Sequence, residues 1–352
     1  MNQGFAGVEL IAVRPAHVFD QAALARYLER HLDGFAGPLT VRQFEGGQSN
    51  PTYLLETPGR AYVMRKKPPG KLLPSAHAVE REYRVMSALA AADVPVPATH
   101  HLCEDAAIIG TEFFVMAHVP GRVLTDPLLP ELAPAERRAL YDRFVVVLAA
   151  LHCVDQDAVG LAGFGRAGNY YARQLARWSK QYRASETESI AAMDQLIEWL
   201  PQNIPAADET AIVHGDYRLG NCIVHPCEPR IVAVLDWELS TLGHPLADLA
   251  YCCMGYHADT GHTGSFIGVD FEATGIPSEA DFVGRYCRLT GRGGIEDWSF
   301  HVAFALFRMA AIVQGVYKRG LDGIASSARA TSFKDVCRLR AEQAWTLVGG
   351  KV

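Results

Sequence analysis

The chain has 352 residues, 49% of them hydrophobic, which is enough apolar material for a sizeable core divided into two or three lobes. Its formal net charge of −6 provides no broad basic field for nucleic acid or an anionic membrane, so neither is expected as a partner. The eight cysteines are scattered through apolar segments, which predicts free buried thiols in a cytoplasmic protein, without a disulfide scaffold or a zinc site.

The front third of the chain has the pattern of a small β-rich lobe with one inserted helix. Turn signals at Gly46-Gly47 and Pro58-Gly59 separate three β-rich runs, and Asp20 is the expected cap of the first helix. The elements predicted here are a helix over 17–33, strands over 39–45, 51–57 and 60–67, a helix over 75–92, and strands near 99–103 and 111–119.

The remainder is predicted to be mostly helical. Its most apolar stretch, 302–316, is interrupted by Arg308 and Gln314, so no membrane-spanning helix is expected. The elements predicted here are helices over 134–153, two within 168–200, strands at 211–213, 222–224 and 230–236, and helices over 245–256, 278–290, 295–319 and 325–348. The change of pattern predicts an N-lobe over 1–117 and a C-lobe over 118–352.

The segment His214-Gly215-Asp216-Tyr217-Arg218-Leu219-Gly220-Asn221 has the spacing of a protein-kinase catalytic loop. Asp216 is the predicted catalytic carboxylate, which would accept the proton of an attacking hydroxyl, and Asn221 is a predicted metal ligand. Arg218 is a candidate to neutralise the transferring phosphate or to hold a substrate carboxylate, although a local ion pair fits it equally well. His214 is expected to brace the loop.

An apolar run over 231–235 leads directly into Asp236-Trp237-Glu238. A carboxylate at a strand end suits a magnesium ligand, because this hard cation prefers oxygen donors on a rigid support. Asp236 is therefore the second predicted metal ligand. Protein kinases carry Asp-Phe-Gly at this place, so Asp-Trp-Glu points away from them.

These segments, with Pro245-Leu246-Ala247-Asp248-Leu249-Ala250, resemble the aminoglycoside and choline phosphotransferase family. The resemblance implies an α+β, two-lobed protein-kinase-like fold, with a small β-rich N-lobe carrying one key helix and a large α-rich C-lobe. It implies ATP and Mg²⁺ as cofactors and Asp248 as a brace of the catalytic loop. Residues 62–70 and 302–319 resemble a subgroup that includes the domain in front of some long acyl-CoA dehydrogenases, although no dehydrogenase domain is expected in this chain.

Residues 43–56 resemble the nucleotide-covering hairpin of that family. Gly46 and Gly47 allow a tight turn that exposes backbone amides to phosphate, and Ser49 and Asn50 are candidate further donors. A plain hairpin is the alternative interpretation, because two glycines between strands commonly form one.

The run Tyr62-Val63-Met64-Arg65-Lys66-Lys67 is the expected basic strand. Its resemblance to the Val-Ala-Ile-Lys strand of protein kinases implies that Val63 covers the adenine and that Arg65 takes the place of the phosphate-binding Lys. Alternation places Val63, Arg65 and Lys67 on one face, which leaves Lys66 the weaker candidate. Arg65 replaces the usual Lys and could instead be a solvated strand end. Family matches favour Glu82 as its helix partner, with Glu80 as the alternative.

The adenine edge is expected to pair with the connection between the lobes, at Met116, Ala117, His118 and Val119. The function predicted is an ATP- and magnesium-dependent kinase that phosphorylates a hydroxyl of a small molecule. A hydroxy acid or its thioester is favoured over an aminoglycoside, because the predicted acceptor segments contain no dense acidic run for a polycation. A catalytically inactive nucleotide-binding protein and a protein kinase are the alternatives, and the oligomeric state is left open.

Overall fold

The computed structural model describes residues 8–45, 50–70, 77–258, 264–323 and 330–350. The chain forms two compact units. The first comprises residues 1–125, 157–161 and 219–240, and the second comprises residues 126–156, 162–218 and 241–352. Two later segments thus return to the first unit, whereas the sequence predicted a single boundary after residue 117.

Strands and helices follow the predicted order closely. The strands are β1 (Leu10–Ile11), β2 (Thr40–Phe44), β3 (Thr52–Thr57), β4 (Arg60–Lys66), β5 (Thr99–Cys103), β6 (Phe113–Ala117), β7 (Arg122–Val123), β8 (Ala211–Val213), β9 (Cys222–Val224), β10 (Ile231–Val234) and β11 (Thr241–Gly243). The helices are α1 (Gln21–His31), α2 (Val79–Leu89), α3 (Pro134–His152), α4 (Tyr170–Ser185), α5 (Ala191–Gln202), α6 (Pro245–His257), α7 (Phe271–Thr274), α8 (Glu279–Thr290), α9 (Trp298–Leu321) and α10 (Val336–Leu347).

The first unit is built on an antiparallel sheet of order β1-β2-β3-β4-β6-β5. Alternate residues of the strands, including Tyr62 and Met64, join a buried cluster with Leu24 and Leu28 of α1. The intervening residues of β4 point to the other face, which α2 covers. Because the strand period is two, a one-residue shift of β4 would exchange its two faces and turn Arg65 away from α2.

A smaller sheet of order β10-β9-β7 completes the first unit. Gly121 is required beside it, since a Cβ at this position would lie 2.5 Å from the backbone oxygen of Val224. At one end of the β9–β10 pair, the backbone N–H of Leu235 donates to the carbonyl of Asn221 at 2.8 Å. The residues just before β9 and just after β10 are thereby held at the same edge.

The second unit has a core centred on α9, which packs against α4, α6 and α10. By length and composition α9 could cross a membrane, but 72% of its most apolar stretch is buried inside the protein. Strands β8 and β11 pair with each other. Strand β8 ends just before residue 214, and β11 ends just before α6. These connections place the catalytic-loop candidate directly beside the amino-terminal turns of α6.

Most predicted elements lie within a few residues of the observed ones. Asp20 caps α1 as expected, accepting a hydrogen bond from the Ala23 amide at 2.8 Å. All eight cysteines are free, and five of them are buried, as the sequence predicted. The short elements β1, β7, β11 and α7 were missed, because two to four residues carry too little periodicity to be recognised.

Candidate active site

Arg65 is the centre of the site residues in the first unit. It lies on the α2 face of β4, where its Nη1 is 2.8 Å from Oε2 of Glu82. Both Nη atoms also donate to Oδ1 of Asp236 at 3.1 Å. The predicted Arg65–Glu82 pair is thus present, and the guanidinium also holds the candidate metal ligand.

The Nε donor of Arg65 takes part in none of these contacts. It is buried and has no hydrogen-bond partner among the described residues. A buried guanidinium normally uses all its donors, because an unpaired one loses hydration without compensation. This orphaned donor fits a group that accepts a hydrogen bond from Arg65, as a phosphate oxygen does.

Asn50 holds Glu82 in place through a hydrogen bond. The fully buried Asn50 side chain donates from Nδ2 to Oε1 of Glu82 at 2.9 Å, and its Oδ1 lies 3.2 Å from Nδ1 of His77. Burial raises the pKa of Glu82 to about 7, against the opposing effects of Arg65 and Asn50. Asn50 therefore orients Glu82, whereas the sequence predicted that it would donate to the nucleotide.

Asp236 and Asn221, the predicted metal ligands, flank the paired strands β9 and β10. Asp236 has a left-handed backbone with φ of 67°, a strained conformation that is tolerated where the surrounding structure enforces it. The Asn221 side chain is buried, and that of Asp236 is about one-third exposed. One amide and one carboxylate on rigid strand ends fit Mg²⁺, which commonly uses few protein ligands together with phosphate and water.

The other basic residues of β4 have different partners. Lys66 is buried on the opposite face from Arg65, with its Nζ 5.7 Å from the centre of the Phe19 ring. Lys67 pairs with Glu80 at 3.1 Å and with Glu112. The structure therefore favours Arg65 over Lys66 and Glu82 over Glu80, as predicted.

The candidate adenine residues lie on or just after the neighbouring strands. Val63 on β4 is paired with Met116 on β6, and both side chains are buried. Ala117, His118 and Val119 follow at the end of β6 with intermediate exposure. Gly46, Gly47 and Ser49 of the predicted hairpin lie outside the described residues.

In the second unit, the buried carboxylate of Asp248 organises the catalytic-loop candidate. Its two oxygens accept hydrogen bonds from the backbone amides of His214, at 2.6 Å, and Gly215, at 3.0 Å. His214 is buried, and its Nδ1 accepts from the amide of Asp216 at 3.2 Å. The predicted bracing roles of Asp248 and His214 match these contacts.

The Asp216 carboxylate has different neighbours at its two oxygens. Oδ1 accepts a short hydrogen bond from the hydroxyl of Tyr251, on α6. Oδ2 lies 3.4 Å from Nε of Arg218, whose side chain is half exposed. Arg218 thus forms the local ion pair that was the alternative to a contact with phosphate or substrate.

Arg308 secures the same loop from α9. Its Nη2 donates to the carbonyl of Gly215 at 2.8 Å, and its guanidinium lies over the ring of Trp178. Neither Arg308 nor Tyr251 is among the site residues predicted from the sequence. The sequence contains one feature that could have indicated Tyr251: it lies one helical turn after Asp248 and therefore faces the same side of the helix. Arg308 was interpreted only as an interruption of an apolar stretch.

Comparison with known proteins identifies the relatives of this arrangement. Residues 40–285 match the model of the "Phosphotransferase enzyme family". A crystal structure from Ralstonia eutropha, provisionally described as an aminoglycoside phosphotransferase, is 53% identical, covers 94% of this chain and 99% of its own, and has a TM-score of 0.87. The predicted two-lobed protein-kinase-like fold is confirmed.

Two further proteins extend the comparison. Acyl-CoA dehydrogenase family member 10 of Mus musculus is 48% identical over 95% of this chain, which spans 31% of the mouse protein's length. The predicted subgroup resemblance is thereby confirmed. A spectinomycin phosphotransferase solved with ADP and spectinomycin shares the fold, with a TM-score of 0.62, 14% identity, and coverage of 95% of this chain and 99% of its own.

Replacing Asn50 tests the support of Glu82. Asn50→Ala removes the donor to a buried carboxylate, so the free energy of unfolding should fall by about 1 to 3 kcal/mol in urea titrations. Asn203→Ala is the control, because the Asn203 amide donates to the Trp199 carbonyl at an exposed site. Equal losses in both variants would contradict the proposed importance of the Asn50 contact.

Replacing Asp248 tests the brace through its pH dependence. Burial disfavours its charge, but His152, His214 and the loop amide more than offset this and lower its pKa below 3.8. Asp248 therefore contributes stability that is present above pH 3.8 and is lost as pH falls through the folded-state pKa.

Asp248→Asn should lower the free energy of unfolding at pH 7 by about 2 to 3 kcal/mol and flatten its decline in acid. Asp142→Asn is the control, since Asp142 forms an ion pair with Arg285 at a partly exposed site. An unchanged acid dependence in Asp248→Asn, measured by denaturant unfolding from pH 2 to pH 7, would contradict the assignment.

Proposed function

This chain belongs to the phosphotransferase enzyme family, and on that premise we propose that it transfers the γ-phosphoryl group of magnesium-bound ATP to a hydroxyl of a small anionic molecule. A hydroxy acid or its thioester is the favoured acceptor class. The observation that carries the proposal is the rigid mounting of Asp216 among arginines of the second unit.

Asp216 has the chemistry of the general base. Its carboxylate would orient the acceptor hydroxyl and take its proton as the oxygen attacks the γ-phosphorus, while ADP leaves. The backbone around it is held by Asp248 and Arg308, so little reorganisation is required when the acceptor binds. Such positioning supplies much of the catalysis in phosphoryl transfer.

The residues of the first unit suit the nucleotide. Arg65, steadied by Glu82, would bind phosphate oxygens through its free Nε, and Asn221 and Asp236 would hold the metal ion. When bound, Mg²⁺ supplies neutralisation of the phosphate charge. The ADP in the spectinomycin phosphotransferase of the same fold is consistent with this use.

Arginines near Asp216 favour an anionic acceptor. Arg308 and Arg340 each have a buried Nε without a hydrogen-bond partner, and neither forms an ion pair with any described residue. Burial lowers the pKa of Arg340, while neighbouring Tyr251 acts in the opposite direction. Arg308 is buried and Arg340 is half-buried. Guanidinium groups with reduced hydration and no acidic partner favour a carboxylate or phosphate on the acceptor and disfavour a polycation.

Nucleotide binding tests the metal assignment. ATP with Mg²⁺ should raise the melting temperature of the wild-type protein, and Asp236→Ala should lose this shift because one metal ligand is gone. Glu228→Ala, on an exposed turn, is the control and should keep the shift. A full metal-dependent shift in Asp236→Ala would contradict the role of Asp236.

Turnover tests the base and the acceptor class. ADP release should occur with a panel of small hydroxy acids and their coenzyme A thioesters, and Asp216→Ala should reduce it by about 10²- to 10⁴-fold. The melting temperature of this variant should stay close to that of the wild type, since the backbone contacts of the loop remain. ADP release only with aminoglycosides would contradict the anionic acceptor, and full activity of Asp216→Ala would contradict the mechanism.

A further inference from the structure

Helix α6 holds the catalytic-loop candidate with three side chains on two successive turns. Asp248 accepts from the amides of His214 and Gly215, and four residues later the Cys252 thiol donates to the carbonyl of Tyr217 at 3.3 Å. Between them, the Tyr251 hydroxyl reaches Oδ1 of Asp216. Asp248 and Cys252 bind the backbone, whereas Tyr251 binds the carboxylate that does the chemistry.

The Tyr251 hydroxyl can act only as a donor in this contact when Asp216 is ionised. Burial raises the pKa of Tyr251 far above its ordinary value, and the Asp216 carboxylate raises it further, against Arg218 and Arg308. The phenol therefore keeps its proton at physiological pH. A protonated phenol beside a carboxylate forms a charge-assisted hydrogen bond, which is short and directional.

We propose that Tyr251 is a positioning residue of the phosphotransfer reaction, which fixes the rotation of the Asp216 carboxylate and directs Oδ2 to the acceptor hydroxyl. This inference rests on the proposed function. Oδ1 is committed to Tyr251, so the oxygen on the side of Arg218 is the one that takes the proton. Arg218 is half exposed and can turn toward the anionic group of the acceptor as its hydroxyl approaches Oδ2.

The proposed phosphoryl transfer balances with the acceptor, ATP and the Asp216 carboxylate. The acceptor O–H bond breaks and its proton forms a bond to Oδ2, while the acceptor oxygen forms a bond to phosphorus. The bond between that phosphorus and the bridging oxygen of ATP breaks, and ADP leaves with the electron pair. Tyr251 keeps its own proton throughout and supports the carboxylate.

Tyr251→Phe removes only the hydroxyl, and Tyr256→Phe is its matched control on the same helix. The Tyr256 hydroxyl donates to the carbonyl of Pro277 at 2.7 Å, so its removal also costs one hydrogen bond but leaves Asp216 unchanged. Steady-state kinetics would use the best acceptor of the hydroxy-acid panel. Tyr251→Phe should lower kcat by about 10- to 100-fold, because a misdirected base loses its alignment with the hydroxyl.

The two KM values should stay within about twofold of the wild-type values, since the hydroxyl acts on the transition state and not on binding. The acid limb of the pH–rate profile should also move to higher pH in Tyr251→Phe, because a carboxylate that loses a donor is protonated more easily. The other charged groups that act on Tyr251 are the guanidinium groups of Arg218, Arg308 and Arg340. Arginine side chains in general do not titrate in the range of such a profile, so the acid limb is expected from a carboxylate.

Three kinetic outcomes separate the explanations. A fall in kcat with a displaced acid limb in Tyr251→Phe, and neither change in Tyr256→Phe, supports the proposal. Equal falls in both variants would assign the loss to general destabilisation and overturn it. Unchanged kcat in Tyr251→Phe, with an active wild-type enzyme, would overturn the inference while leaving the proposed function standing.

Failure of every acceptor to support turnover would count against the proposed function. In that case, a spectroscopic measurement still tests the contact between Tyr251 and Asp216. In protein labelled with ¹³Cζ-tyrosine, the resonance absent from Tyr251→Phe identifies Tyr251 among the 13 tyrosines. Its shift should change with pH in the acid range in the wild type and stay constant in Asp216→Asn. The same titration in Asp216→Asn would show that Tyr251 does not sense this carboxylate and would overturn the proposal.

Discussion

The buried carboxylate of Asp248 is the contact on which the second unit's site depends. A carboxylate that is almost fully removed from water must be hydrogen-bonded, and here its partners are two successive backbone amides of the catalytic loop. This requirement fixes the loop against the first turns of α6. Once the loop is held there, Tyr251 on the next turn meets Asp216, and Arg308 on α9 meets the Gly215 carbonyl.

In the first unit the buried charge is the guanidinium of Arg65, and carboxylates compensate it. Arg65 is buried between Glu82 and Asp236, and Asn50 secures Glu82 from the other side. A single guanidinium thus connects the sheet, helix α2 and the strand end that carries Asp236. Arg suits this place better than Lys, because its planar group reaches two carboxylates at once and still keeps a donor for phosphate.

The distribution of charge also separates the two halves of the proposed reaction. In the first unit, Glu82 and Asp236 neutralise Arg65, and Asp236 is also a candidate metal ligand. In the second unit, Arg308 and Arg340 have no acidic partner among the residues that the structure describes. Under the proposed function, the first unit would therefore take a metal-bound polyphosphate, and the second unit would take an anionic acceptor in preference to a polycationic one.

The sequence by itself determined the order of the main elements, the fold family and the Asp216, Asn221 and Asp236 motif, because these depend on local periodicity and on spacing along a short loop. It also found the Arg65–Glu82 pair, since strand alternation chooses one face and the family resemblance chooses the helix partner. Asn50 was assigned to the nucleotide because a sequence does not reveal that its amide is buried against a carboxylate 32 residues later.

Only the tertiary structure decided the roles of Tyr251 and Arg308. Tyr251 contacts Asp216 across 35 positions of the chain, and Arg308 contacts Gly215 across 93. Such contacts arise from the packing of whole helices, which no local pattern encodes.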